Sequence, residues 1–305
     1  MLYIQYSIQG NEGLCNQLMA IFRAVGEALF YRGQGMEVCL VLSDVQTRTT
    51  VDLTSKPHFQ PIKIDSFLDV DGLTGILEEK KIQVRRVEEV HKLDSDLLLT
   101  CNRMPMRTST PEETKDLGFL FGNVFPWSKE LIKLSNFVMD SMSIYPLWTA
   151  AQLRIERDLL SFSDIGEDRL SSIRESQFDS VIKFFSDTQN ISAIYVASGS
   201  KANEYEALIT RLKEINPCIV AINKKDIFER NLEFKKEFNE LYLEQQALID
   251  WMVCTRAPLF IGPHSSSFAY LAAYIRHYQH FTNLHPDYQA CWEDWFPRLA
   301  STGMA

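Results

Sequence analysis

The chain has 305 residues, of which 46% are hydrophobic, 23% charged and 11% aromatic, a globular composition that excludes whole-chain disorder and collagen-like repeats. Its 31 Lys and Arg stand against 40 Asp and Glu, a formal net charge of -9, which argues against a broad nucleic-acid face but leaves room for a small local anion site. The length holds one large domain or two of ~150 residues, with full cores and no need of disulfide or metal staples.

Residues 2–8 are short, apolar and partly alternating, as in a strand, and Gly10, Asn11, Glu12 and Gly13 break them. From Leu14 onward, Leu18, Ile21, Phe22, Val25 and Leu29 keep helical spacing until Gly33 and Gly35 end it. Residues 36–42 read as a second strand. Strand, glycine loop, helix, strand is the opening of an α/β unit with parallel strands. Residues 55–60 read as loop, 76–90 as a helix with a short strand, 104–126 as a long surface connection, and 127–145 as a helix closed by Pro146.

A second α/β run follows. Residues 149–155, 191–197, 218–222 and 259–262 read as strands. Residues 170–187, 201–215, 241–254 and 266–278 read as helices, the second with Tyr205, Leu208, Ile209, Leu212 and Ile215 on one side. This alternation predicts a doubly wound half. There is no internal repeat. The expected division is an amino-terminal domain over 1–146 and a carboxyl-terminal domain over 147–305, both Rossmann-like and facing a cleft. Ligands in such folds sit at the turns beyond the carboxyl ends of strands.

The six cysteines form no CxxC pair and read as reduced thiols packed in cores. No His/Cys/Asp/Glu cluster has metal-ligand spacing, so no structural zinc is expected. No signal peptide and no apolar stretch of ~20 residues is visible, so no membrane segment and a cytoplasmic chain are expected. A secretory protein trimmed of its anchor would read the same. Asn190-Ile191-Ser192 fits a glycosylation sequon, a triplet that arises often by chance.

Three turns could carry chemistry. The first runs from Gly10 to Gln17 and is neither GxGxxG nor a Walker loop. Its glycines would let backbone approach a ligand at a helix amino terminus, although alone it reads as an ordinary strand-to-helix turn. The second is Gln152-Leu153-Arg154-Ile155-Glu156-Arg157-Asp158. Arg154 at the end of a strand either pairs with Glu156 or Asp158 or binds an anion, because an unpaired buried charge is costly. The third runs from Phe260 to Phe268 and sets Ser265, Ser266 and Ser267 at a helix start, where capping explains one hydroxyl and several together suit phosphate oxygens. His264 by itself reads as a loop or packing histidine.

Together these turns resemble the GDP-fucose protein O-fucosyltransferase-like glycosyltransferases, including the plant branch of that superfamily. The first loop, Glu12-Gly13-Leu14-Cys15-Asn16-Gln17, matches a Gly-Gly-(Leu/Phe)-Asn turn. Residues Gln152 to Asp158 match a His-Leu-Arg-x-Glu-x-Asp strand motif. Tyr195-Val196-Ala197-Ser198 matches a Tyr-Val-Ala-(Ser/Thr) strand. Phe260-Ile261-Gly262 with Ser266-Ser267-Phe268 matches the closing motif, and Asp250 stands where the family often has an acidic residue. The matches keep their order over residues 1 to about 280. Gln152 replaces the usual His, Cys15 stands where many members have Asn, and Gly199 where the family often has an acidic residue.

The resemblance implies a GT-B-like fold and an inverting, metal-independent transfer of fucose from GDP-fucose to a hydroxyl of a protein or glycan acceptor. It implies no cofactor beyond the nucleotide sugar. Arg154 matches the essential arginine, and Glu12 stands where some members keep the base that deprotonates the acceptor; a solvated loop carboxylate is the other reading of Glu12. Gly13, Asn16, Gln152, Arg154, Ser198, His264, Ser265, Ser266, Ser267 and Phe268 form the implied donor site. The alternatives are the same fold with another donor, as in a rhamnosyltransferase, and a non-catalytic nucleotide- or glycan-binding relative.

Overall fold

A computed structural model describes residues 1–8, 12–49, 58–90, 97–102, 110–156, 166–263 and 266–278. The described residues divide into two compact units, one within Met1–Thr47 and Phe59–Lys129, the other within Arg48–His58 and Glu130–Ala290.

The first unit is built on β1 (Leu2–Tyr6), α1 (Leu14–Gly33), β2 (Val38–Leu42), α2 (Val70–Glu79), β5 (Ile82–Arg86), β6 (Leu98–Cys101) and α3 (Pro111–Phe119). Between β2 and α2 lie β3 (Val45–Arg48) and β4 (Phe59–Ile62), which pair as a separate two-stranded sheet. The main sheet has the order β5-β2-β1-β6 and every pairing is parallel. All five residues of β2 are buried, as befits a central strand covered on both faces. Helix α1 lies against the sheet with Leu18, Ile21, Phe22 and Val25 buried. It ends in a Schellman turn: Gly35 adopts φ +85, and the Met36 and Gly35 amides donate to the Tyr31 and Arg32 carbonyls. Only glycine takes that backbone shape without strain.

Two sequence expectations need correction here. The stretch 104–126 is not wholly a connection. Its described part holds α3, started by a capping box in which Thr110 and Glu113 satisfy each other's amides, and a π-helical turn at Leu120–Val124. Phe121 and Phe125 of that segment pack on Phe22, with ring centroids 3.7 and 5.1 Å away. The helix expected within 76–90 starts earlier, because Asp69 accepts from the Gly72 amide and caps α2.

The second unit contains α4 (Lys129–Met142, from Glu130 on), β7 (Trp148–Gln152), α5 (Glu167–Asp187), β8 (Ala193–Ala197), α6 (Glu206–Ile215), β9 (Val220–Ile222), α7 (Lys224–Glu229), α8 (Leu232–Glu240), α9 (Leu243–Arg256), β10 (Leu259–Ile261) and α10 (Ser267–Tyr278). Helix α4 is tied here by Lys133–Glu237 and by Arg256, which donates to Asn136 and Ser135. The sheet order is β10-β7-β8-β9, again all parallel.

Strand periodicity divides this sheet between two layers. Ile194 and Val196 of β8 join Ala151, Phe178, Val181, Leu208 and Leu212 in one core beneath α5 and α6. Tyr195 points the other way and donates its hydroxyl to Asp250 of α9 at 2.6 Å. Asp250 also pairs with Lys224 at the start of α7. Helix α10 is locked to α9 by the fully buried Arg276, whose guanidinium donates to the Cys254, Thr255, Ala257 and Pro258 carbonyls. It thereby satisfies acceptors that the end of α9 leaves over.

Three expectations differ in this unit. The strand expected over 149–155 forms its ladder only to Gln152. The helix expected over 201–215 starts as a short turn at Ala202–Glu204, and Ile215 faces solvent. Helices α7 and α8 fill a stretch to which the sequence assigned nothing.

Among the described cysteines, Cys15, Cys39, Cys101 and Cys254 are buried free thiols and Cys218 is exposed. No described helix is long and apolar enough to cross a membrane.

Candidate functional site

Both units repeat one winding. From β1 the chain steps outward to β2 and β5, and β6 lies on the far side of β1; from β7 it steps to β8 and β9, and β10 lies on the far side of β7. The strand order therefore reverses beside β1 and beside β7. In parallel α/β sheets the crevice at such a reversal, beyond the carboxyl ends of the strands, is where ligands bind.

In the second unit three motif segments meet that edge. Gln152 ends β7, Ser198 follows β8, and Ser266 to Phe268 follow β10 and open α10. The in-register pairs Ile261↔Ala151 and Gln152↔Ala197 set the three strand ends side by side. Beyond Gln152 the chain stays extended. Its Leu153 amide donates to the Ala197 carbonyl at 3.1 Å. The Gln177 carboxamide of α5 then takes the place of a strand partner, accepting from the Arg154 amide at 2.8 Å and donating to the Arg154 carbonyl at 2.9 Å. The backbone of Arg154 is thus held from both sides.

Its side chain is held as well. Arg154 Nη1 lies 2.7 Å from Glu156 Oε2, and the side chain keeps 29% exposure. The ion pair that the sequence left open therefore exists. Glu156 is 8% exposed, and its second oxygen accepts from Ser198 Oγ at 3.0 Å and the Gly199 amide at 2.9 Å. Burial alone would raise this carboxyl, but the Arg154 charge, the Arg154 hydrogen bond and the Gly199 amide outweigh it, and the group sits below the ordinary glutamate range. Glu156 thus joins the β7 and β8 loops.

Two polar atoms beside this cluster want partners. Gln152 is 5% exposed, and its Oε1 has no hydrogen-bond partner among the described residues. Ser200 Oγ is in the same position. Buried polar groups are nearly always satisfied, so these two atoms have room for a partner that the described residues do not supply, an ordered water or a ligand. At α10, the Ser266 amide donates to the Pro263 carbonyl and its own carbonyl accepts from Tyr270, so Ser266 occupies the cap position. Ser266, Ser267 and Phe268 are each partly exposed. His264 and Ser265 lie outside the described residues, as does Asp158.

In the first unit the reversal lies beside β1, and the loop after it carries Glu12 and Gly13. Glu12 is 6% exposed, which removes the reading of a solvated loop carboxylate. The Gln17 carboxamide ties this loop down, donating to the Glu12 carbonyl at 2.8 Å and the Gln46 carbonyl at 2.9 Å. Gly13 caps α1 with extended backbone and no side-chain cap. An added Cβ there meets no atom of the described residues within 4 Å. Of the next two motif residues, Cys15 faces the core, where burial pushes its thiol well up, and Asn16 is partly exposed.

The structure thus brings Gln152, Arg154 and Ser198 to one edge with Ser266, Ser267 and Phe268, and sets Glu12, Gly13 and Asn16 at the corresponding edge of the other unit. Gln177 and Arg174 were missed. The Arg174 guanidinium reaches the Ile155 carbonyl and Glu204. Both residues stand at i+4 and i+7 from buried Leu170, on the rim of the apolar stripe of α5. Polar residues so close to a buried stripe were the available signal.

Comparison with solved structures gives the fold a counterpart. POFUT1 in complex with GDP-fucose superposes with a TM-score of 0.54, covering 90% of this chain and 94% of that one at 11% identity. The chain has the fold of POFUT1. Its apo form matches with a TM-score of 0.53 at 12% identity over 92% of this chain and 96% of that one. POFUT1 in complex with GDP matches at 0.52 and 12% identity, over 90% of this chain and 94% of that one. The α/β, GT-B-like class expected from the motifs is therefore the observed one. No family model matches the sequence, and no curated protein matches it.

Proposed function

We propose that the protein is an inverting, metal-independent glycosyltransferase that moves fucose from GDP-fucose to a hydroxyl of a protein or glycan. The observation that carries this reading is Arg154, held by Glu156 and Gln177 at the carboxyl edge of β7 beside the unsatisfied Gln152 Oε1. Its support is the POFUT1 fold, since that protein binds GDP-fucose in its own structure.

The chemistry follows from charge. As the bond between the sugar's anomeric carbon and the β-phosphate oxygen breaks, negative charge grows on the departing diphosphate. Arg154 and the first-turn amides of α10, with Ser266 and Ser267, stabilise that charge. The acceptor oxygen forms the new bond from the opposite face and gives its proton to Glu12. Gln152 Oε1 accepts a hydrogen bond from an N–H of the nucleobase, a role that an amide performs without titrating.

Guanine and uracil both present such an N–H, so a different nucleotide sugar on the same fold is the second reading. Thermal shifts with GDP, UDP and dTDP separate the two: a nucleotide at 100 times its Kd adds ~2.7 kcal/mol of stability, and one that does not bind adds nothing. With the donor identified, Arg154→Ala is expected to stay folded, with a lower melting temperature because it strands the buried Glu156 carboxylate, and to lose turnover by a factor of ~100–1000, the usual loss on removing one anion-stabilising donor. A fully active Arg154→Ala protein ends the transferase assignment. Nucleotide binding with no hydrolysis or transfer across an acceptor panel identifies a binding-only relative.

A further inference from the structure

Glu156 raises a question that the transfer chemistry does not answer. A site for a diphosphate gains from positive charge, yet here a buried carboxylate lies 2.7 Å from the one guanidinium assigned to it. Counted as charge alone, Glu156 repels the ligand and weakens Arg154 as an anion receptor.

The geometry gives it another use. One carboxylate oxygen is fixed by Ser198 Oγ at 3.0 Å and the Gly199 amide at 2.9 Å. Ser198 Oγ in turn accepts from the Ser200 amide at 3.1 Å, so the loop after β8 is folded around the carboxylate. The other oxygen holds Arg154 Nη1. The fit is close on the loop side, since a Cβ added at Gly199 would meet Glu156 Oε1 at 3.4 Å. A guanidinium is a rigid planar fork on a flexible stem, and fixing one edge of the fork fixes the direction of the others. Gln177 fixes the backbone of Arg154, and Glu156 holds its guanidinium.

We propose that Glu156 is the positioning residue of the donor site. It turns the loop after β8 into a mount for the Arg154 guanidinium and aims it at the diphosphate before the ligand arrives. The gain is lower ordering entropy on binding, which exceeds the electrostatic penalty of the nearby carboxylate. This inference rests on the donor-site reading given above.

The two roles predict opposite signs, which makes the test sharp. Calorimetric titration with GDP, UDP and dTDP is run on the wild type, Glu156→Gln, Glu156→Asp, Arg154→Ala and the Arg154→Ala/Glu156→Gln double variant. Melting temperatures confirm that each is folded. As a positioning residue, Glu156→Gln weakens binding about tenfold, the scale of one charge-assisted contact. In the Arg154→Ala background the same change does nothing further, because there is no guanidinium left to aim. Glu156→Asp keeps the charge but is one methylene too short to hold both ends, so it weakens binding too, and it carries the test if the Gln variant does not fold. As a mere counter-charge, Glu156→Gln would tighten binding and Glu156→Asp would leave it unchanged; either result overturns the inference and leaves the donor site standing. Equal weakening with and without Arg154 also overturns it. A wild type that binds none of the three nucleotides ends the donor-site reading, and this inference falls with it.

Discussion

Asp250 offers the most demanding stability test in the fold. It is 4% exposed on α9, between the Tyr195 hydroxyl at 2.6 Å and Lys224, which is itself 6% exposed. Burial is the largest influence on its carboxyl and raises it, and the Lys224 charge pulls it back. Asp250→Asn leaves Tyr195 an acceptor in the amide oxygen but strands the Lys224 ammonium with no counter-charge. Breaking a buried pair from one side costs about 3–5 kcal/mol. At roughly 2–4 °C per kcal/mol for a domain of this size, melting falls by about 6–20 °C. Lys224→Met added to Asp250→Asn removes the stranded charge and is expected to restore most of that loss, because the penalty lies in the orphan and not in the absent pair. Urea unfolding followed by circular dichroism, read as a double-mutant cycle, measures both numbers. An Asp250→Asn protein within about 1 kcal/mol of wild type, or a double variant no better than the single, would show that the network does not hold α7 and α9 against β8.

Two further outcomes follow from buried charges. Arg276→Met keeps the stem and removes the donors that satisfy four carbonyls at the end of α9; an expected loss of about 3 kcal/mol should appear as a lower urea midpoint, and an unchanged midpoint would deny the guanidinium its capping role. Glu156 is held below its ordinary value of 4.5 in the fold, so its contribution is complete above that pH and is lost as pH falls through the lower folded value. The stability gap between wild type and Glu156→Gln should therefore be constant from neutral pH down to about 5 and narrow below 4.5, and a gap that widens on acidification would reverse the assigned shift.

Much of this architecture was legible because helix and strand periods are hard to mistake when one face is buried. Leu18, Ile21, Phe22 and Val25 mark α1 plainly, as Leu208 and Leu212 mark α6. What was missed has local causes. Helix α3 buries only Thr114 and Gly118, so it has almost no apolar stripe to read, and its start was written in Thr110-Pro111-Glu112-Glu113. Helix α8 likewise buries only Phe238 and is started by Asn231, whose side chain accepts from the Glu233 and Phe234 amides. In such short helices the cap is a clearer signal than the stripe. The motif residues of the site could be named from sequence, but their support could not. Gln177 is 23 residues from Arg154, and Ser198 is 42 residues from the carboxylate it fixes. No spacing rule connects residues that only a parallel sheet brings together.

The same winding in both units explains why two unlike loops are both candidates. Reversal of strand order beside β1 and beside β7 marks, in each unit, the position where parallel α/β sheets bind ligands. Side chains then decide what each position can do. Beside β7 the chain supplies the Arg154 guanidinium, paired with Glu156. Beside β1 it supplies the buried Glu12 and an α1 amino terminus whose N-cap, Gly13, has no side chain to cap it. Under the transferase reading proposed above, Arg154 beside β7 is assigned to the donor's phosphates and Glu12 beside β1 to the acceptor's proton.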